Sequence, residues 1–202
     1  MKKIAAFLIL SMILTTTAAF AGDSFPTNLA GFTLGSDIKK YDSFCDMDTS
    51  TPMSDAPFLS EVLIKPDSLP GVRGGSLNYG NCKNVGKLVR VKIKFHDRSQ
   101  DLFNELLDKY KDRFGKPDNY KGDAFKNVIA WEWDFNNGKG EQISLLLMWS
   151  RDKEIRPGVS IKMTNVTMFD EEYDCFKAKD YEFSKDKASR TKIKSLNEYV
   201  PQ

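Results

Sequence analysis

His96 is the only histidine in this 202-residue chain, and it is accompanied by three cysteines, Cys45, Cys82 and Cys175. Zinc sites of the His-Glu-x-x-His kind and histidine-rich copper or nickel centres need more imidazoles than that. A Cys–His or Ser–His pair needs only one. His96 falls at the end of a strand pattern, beside Asp97 and just before a helix pattern, where a capping or solvent-facing role is the ordinary one. No Gly-x-Ser-x-Gly or comparable nucleophile setting accompanies it.

Paired carboxylates are the other catalytic possibility, since two acids flanking a cleft can hydrolyse a glycosidic bond. Glu132 and Asp134 share one side of a strand pattern, roughly 7 Å apart by strand geometry. They read more simply as the polar side opposite Trp131 and Trp133. Asp170, Glu171 and Glu172 form an acidic run without the Asp-x-Asp/Asn-x-Asp/Asn-Gly pattern of a calcium loop, and acids at a helix start are stabilising by themselves. The glycines between Gly71 and Gly80 lack the strand-to-helix setting and Gly-Lys-Ser/Thr ending of a phosphate cradle. Trp131, Trp133 and Trp149 could stack on sugar rings, but their alternation with other residues places them under a helix as core. No metal or cofactor is called for.

Residues 1–21 read as an export signal. Lys2 and Lys3 form a positive start, 4–14 an apolar stretch, and Ala19-Phe20-Ala21 a small-x-small cleavage site before Gly22. Ser11 and Thr15 to Thr17 interrupt the apolar run, whereas a permanent span takes about 20 predominantly apolar residues. Gly22 also stands where a lipoprotein would carry cysteine, so a soluble periplasmic or secreted protein without an integral membrane anchor is expected. The chain has 30 Lys+Arg and 28 Asp+Glu; removal of Lys2 and Lys3 leaves 28 against 28, which removes the compositional case for nucleic acid.

An oxidising compartment favours a disulfide. Cys45 and Cys82, both in polar, loop-like sequence of the N-terminal half, are the expected pair. Cys175 is then left free on a short helix. No Cys-x-x-Cys motif supports thioredoxin-like chemistry.

These residues are carried by a single α+β domain, expected over 22–176 and followed by a charged tail, 177–202. Gly31-Phe32-Thr33-Leu34-Gly35 opens it, with Ser36 placed to cap a short helix, and 46–57 has the Asp, Ser, Thr and Pro content of a loop. A strand is expected over 61–65 and another from about Ser76. Val89, Val91, Ile93 and Phe95 then alternate with Arg90, Lys92 and Lys94, giving a strand with one apolar and one basic face.

Asp97 or Ser99 starts a helix whose stripe is Leu102, Phe103, Leu106, Leu107, Tyr110 and Phe114, ended by Gly115 and Pro117. Ile129 to Phe135, Ile143 to Trp149 and Val159 to Met163 read as a strand meander with a hairpin turn at Asn136 to Gly140. A short helix follows over 170–177. The predicted architecture is an antiparallel meander with one main helix on a face, and no fixed-period repeat is visible.

The Gly-x-x-x-Gly opening, the strand, the helix ending in Phe114-Gly115-Lys116-Pro117 and the tryptophan-bearing meander resemble the small periplasmic α+β modules of outer-membrane-assembly lipoproteins of the SmpA/OmlA kind and of β-lactamase-inhibitor-like proteins. The resemblance covers Gly31 to Gly35 and residues 89–163. It implies binding to other proteins and no enzymatic activity, and it carries no site residues. The chain departs from the pattern in having no lipid-carrying cysteine, and in placing its Gly-x-Pro helix after a strand.

The expected function is therefore a non-enzymatic accessory protein. It would bind another envelope protein through one face of its sheet, at residues such as Arg90, Lys92 and Lys94, or through its N-terminal loop region. The alternative is an envelope hydrolase or transferase using His96 with Cys175 or with a carboxylate pair.

Overall fold

Period-two alternation in the second half of the chain becomes strands at the positions it marks. A computed structural model describes residues 25–152 and 157–187. A small hairpin, β1 (Asn28–Leu29) and β2 (Phe32–Thr33), and a 3-10 helix (Ile38–Tyr41) lead into β3 (Cys45–Pro52), β4 (Leu59–Ile64), β5 (Val72–Gly80) and β6 (Leu88–Phe95). Then come α1 (Gln100–Phe114), β7 (Asn119–Tyr120), β8 (Val128–Asn136), β9 (Gln142–Ser150), β10 (Gly158–Asn165) and α2 (Val166–Lys187). The expected export signal, residues 1–21, lies outside the described residues.

β3 to β10 form one antiparallel sheet in the order β3-β4-β5-β6-β10-β9-β8-β7. It consists of two four-strand meanders, each preceded by a helical segment, and their last strands pair with one another. In that central pairing Lys162 lies opposite Lys92 and Ile161 opposite Ile93. The repeat is one of topology, with no matching period in the sequence. The sheet edges are blunted: β7 has two residues, and β3 exposes Asp46 and Asp48.

One sheet face buries the main core. Val62, Ile64, Leu77, Val91, Ile93, Leu145, Leu147, Ile161 and Met163 meet Phe103 of α1 and Phe32, Leu34, Ile38 and Tyr41 of the N-terminal segment. The rest of the α1 stripe, Leu102, Leu106, Leu107, Tyr110 and Phe114, packs on the same cluster. Ser99 caps α1 by accepting from Leu102 N at 3.1 Å, and Gly115 ends it at φ 81°, a conformation that L side chains rarely adopt.

The other face carries a smaller cluster. Ala56, Phe58, Leu59 and Val89 lie beneath Met168, Phe169 and Phe176 of α2. The sheet thus carries a helix on each face, whereas one main helix was expected.

Several expectations need correction. Residues 46–57 do not form a loop throughout, because β3 occupies Cys45–Pro52; as a polar edge strand it points only Cys45 and Met47 inward, too few to show periodicity. The last helix starts at Val166 and runs to Lys187. Asn165 Oδ1 accepts from Met168 N at 2.9 Å, turning the end of β10 directly into a helix. The expected tail therefore begins as helix, and its remainder, 188–202, lies outside the described residues. Ser36 is not the cap it was expected to be: Asp37 caps the 3-10 helix by accepting from Lys39 N, while Ser36 Oγ bonds Tyr41 OH at 2.8 Å. Val89 leaves the face of Val91 and Ile93 because β5 and β6 shift register between Asn78 and Tyr79.

The disulfide joins Cys82 to Cys175, not Cys45 to Cys82. Cys45 faces the main core, where it is buried and free. Its position on β3 satisfies an inward-facing slot, and α2 is what reaches Cys82.

Candidate functional site

The expected catalytic groups do not come together. His96 is exposed, with its Nε2 2.9 Å from Asp67 Oδ1. Cys175 is held in a disulfide and offers no thiolate. Burial pushes the Cys45 thiol up to about 11, against a smaller opposing effect of Lys65.

Glu132 receives Ser144 Oγ at 2.8 Å and Lys121 Nζ at 3.2 Å. Desolvation raises the pKa of its neighbour Asp134, with Glu132 and Asp118 adding like charge. The acidic run on α2 is divided by role: Asp170 faces solvent, Glu171 pairs with Lys83 at 2.8 Å, and Glu172 is fully buried.

Glu172 accepts four backbone N–H groups. Oε2 takes Asn81 N at 2.9 Å and Cys82 N at 2.6 Å; Oε1 takes Lys83 N at 2.9 Å and Asn84 N. A buried charge is tolerable when its lone pairs are filled in this way. Gly80 makes room for it, since a Cβ there would lie 2.7 Å from the Glu172 carboxyl. The cluster therefore fixes α2 to the β5–β6 loop and is structural.

The tryptophans are packing residues first. Trp133 is buried against Tyr110, ring centroids 5.6 Å apart, and its Nε1 donates to Gly115 O at 3.0 Å. Trp131 and Trp149 are half-buried; Trp131 meets Tyr120 edge-on at 4.9 Å, and Trp149 Nε1 donates to Arg98 O.

Beyond α2, the second sheet face forms a trough of about 200 Å³. Ser76 and Asn78 of β5, Arg90 and Lys92 of β6, Ser160 and Lys162 of β10, and Leu146 and Met148 of β9 line it, with Met53 and Asp55 from the β3–β4 connection and Glu61 of β4. The strands deliver these side chains to one side because successive residues alternate faces.

Lys92 and Lys162 are direct cross-strand partners at the seam of the two meanders, where like charges repel. Asn78 Nδ2 donates to Glu61 Oε2 at 3.0 Å. Arg90 is not the freely exposed residue the alternation suggested. Its Nε donates to Thr164 Oγ1 at 3.1 Å, and its guanidinium lies 4.9 Å over the Phe169 ring. Desolvation draws its pKa down, while Asp55 and Glu61 favour its charge.

The trough thus offers cationic and hydroxyl donors, two carboxylate acceptors and the apolar side chains of Leu146 and Met148. Among the described residues no group of three or more His, Cys, Asp or Glu could hold a metal ion. A larger cleft of about 500 Å³ lies between 25–29 and α1, lined by Tyr110, Phe114 and one charged group, Arg113.

Arg90, Lys92 and Lys94 were legible as a basic strand face. Lys162, Ser160, Met148, Glu61 and Asp55 were not assigned to the same place, because their convergence depends on strand order. The only local signal for the β10 residues was the alternation of Ser160, Lys162 and Thr164 with Val159, Ile161 and Met163. Compared with family models, with curated proteins and with solved structures, the chain matches none.

Proposed function

We propose that this chain is an exported, non-catalytic accessory protein of the cell envelope, and that its trough receives an acidic segment of another envelope protein. The observation that carries this reading is the placement of Lys92 directly opposite Lys162 on a sheet face that also carries Lys94. This pairing puts two like charges on one sheet face, and an incoming carboxylate gains from both. Ser76 and Ser160 provide hydroxyls beside them, and Leu146 and Met148 supply apolar contact. The disulfide and the amino-terminal leader pattern support work outside the cytoplasm. The resemblance to SmpA/OmlA-type modules supports a protein partner.

The test is site-specific photo-cross-linking from position 94 or 146 on the same face, in the native envelope, with Lys92 and Lys162 left in place. One acidic envelope protein should be captured from both positions. Capture should weaken as salt rises, and it should disappear in a Lys92→Glu/Lys162→Glu variant that melts as the parent does. Capture indifferent to this charge reversal, or no capture from either position, overturns the reading.

A further inference from the structure

On the sheet face opposite the trough, the cleft of about 500 Å³ between residues 25–29 and α1 opens onto the main core. Leu145 of β9 and Met163 of β10 form its floor, Tyr110 and Phe114 of α1 one wall, and Phe25 and Leu29 the other. The second wall is held by its own bonds. Leu34 N donates to Thr27 O at 2.8 Å, Leu29 pairs with Phe32 across the β1–β2 hairpin, and Asn28 Oδ1 accepts from Gly31 N at 3.1 Å. The cleft is therefore formed before anything enters it, and its size falls within the range of small-molecule sites, about 300–1,000 Å³.

Arg113 is the only charged side chain in the lining. It is exposed, and its guanidinium lies 5.4 Å from the centre of the Phe114 ring. No carboxylate among the described residues pairs with it. Tyr110 stands three residues earlier, on the same side of the helix. Its ring packs edge-on against Trp133 and Phe114, while its hydroxyl has no hydrogen-bond partner among the described residues. Burial alone pushes that phenol up to about 12. A desolvated hydroxyl without a partner is costly, and a guanidinium without a carboxylate can take one in a two-pronged bond. Beside an apolar floor, these two groups fit an anionic head joined to a hydrocarbon body.

We infer that this cleft binds a single-chain anionic amphiphile, with its head group on Arg113 and Tyr110 and its hydrocarbon chain over Leu145 and Met163. The site goes beyond the proposed protein-binding role and lies on the other face of the sheet.

The test is isothermal titration of the full exported protein, purified without detergent, with decanoate below its micelle concentration. Decanol and acetate serve as probes that lack the charge and the chain. Decanoate should saturate one site per chain, decanol should bind about tenfold more weakly, and acetate should not bind. Arg113→Gln should weaken decanoate about tenfold and leave decanol unchanged, and Tyr110→Phe should weaken decanoate several-fold. Leu29→Trp, which fills the cleft, should abolish binding of both, with each variant melting as the parent does. Lys92→Glu/Lys162→Glu should bind decanoate as the parent does, so the two proposals fail separately. Absence of saturable decanoate binding, or equal binding by Arg113→Gln or Leu29→Trp, overturns the inference. So does a concentration-dependent dimer that Arg113→Gln dissociates, which would make a second copy of the chain the occupant.

Discussion

Glu172 and Cys175 stand three residues apart on α2, and both hold the same loop. The carboxylate of Glu172 gathers the amides of residues 81–84, while Cys175 bonds Cys82 across 93 residues of sequence. Residues at this spacing share a helix face, so one turn of α2 closes the loop both covalently and electrostatically. This attachment sets α2 over the second sheet face, where Phe169 lies beneath the Arg90 guanidinium and bounds the trough.

Cys175→Ser should therefore lower unfolding free energy by about 2–4 kcal/mol, as expected for a bridge that closes a long loop. Denaturant titration measures it. Mass spectrometry of the native protein should show no alkylation of Cys45, which should react only after unfolding. Equal stability of Cys175→Ser and the parent would contradict the assigned bond.

Glu172→Ala leaves four amides without their acceptor and should cost about 3 kcal/mol or more. Gly80→Ala should act in the same direction with Glu172 itself unchanged, because its Cβ would lie 2.5 Å from Asn84 O and 2.7 Å from the Glu172 carboxyl. In both variants hydrogen exchange should accelerate at residues 81–84 before it does in β9.

Acid should act in opposite senses on two aspartates. Desolvation pushes the Asp123 pKa up, but the amides of Val128, Asn127 and Phe125, with Arg151, hold it below its ordinary value. Its contribution is therefore complete above the unfolded value of about 3.9 and is lost as pH falls through the lower folded value. Asp134 is raised by desolvation, then by Glu132 and Asp118. It opposes folding at neutral pH, and the penalty disappears as pH falls below the unfolded value. Asp123→Asn should lower the melting temperature at pH 7, whereas Asp134→Asn should raise it there and have no effect in strong acid. Melting curves across acid pH distinguish these outcomes.

Trp133→Ala should cost roughly 3–5 kcal/mol, because it empties a buried indole site under α1. It should also remove the most blue-shifted part of the fluorescence spectrum. Trp131→Ala, at a half-buried position, should cost less on the same denaturant titration.

Much of the second half was legible because its elements have local causes. The stripe from Leu102 to Phe114, the Ser99 cap and the Gly115 stop specify α1, a helix of 15 residues. The alternations in β8, β9 and β10 specify their faces. β3 was not legible, because an edge strand that buries only one side of a few residues leaves almost no periodic trace. The basic face of β6 was visible, yet Arg90 could not be separated from Lys92 until Phe169 and Thr164 arrived from later elements.

The same division holds for chemistry. By itself the sequence determined the inventory: one histidine, three cysteines, an antiparallel α+β pattern, and no familiar nucleophile or metal motif. Periodicity and residue type act over a few neighbours, so one dimension is enough to read them. Only the tertiary structure decided that Cys82 meets Cys175, that Glu172 is a buried anchor, and that Lys92 faces Lys162. Each of those contacts joins residues at least 70 positions apart, brought together when β6 paired with β10 and α2 folded back over the sheet. Loop-closure entropy varies only slowly with such separations, so sequence distance does not select among them, and strand order and packing do.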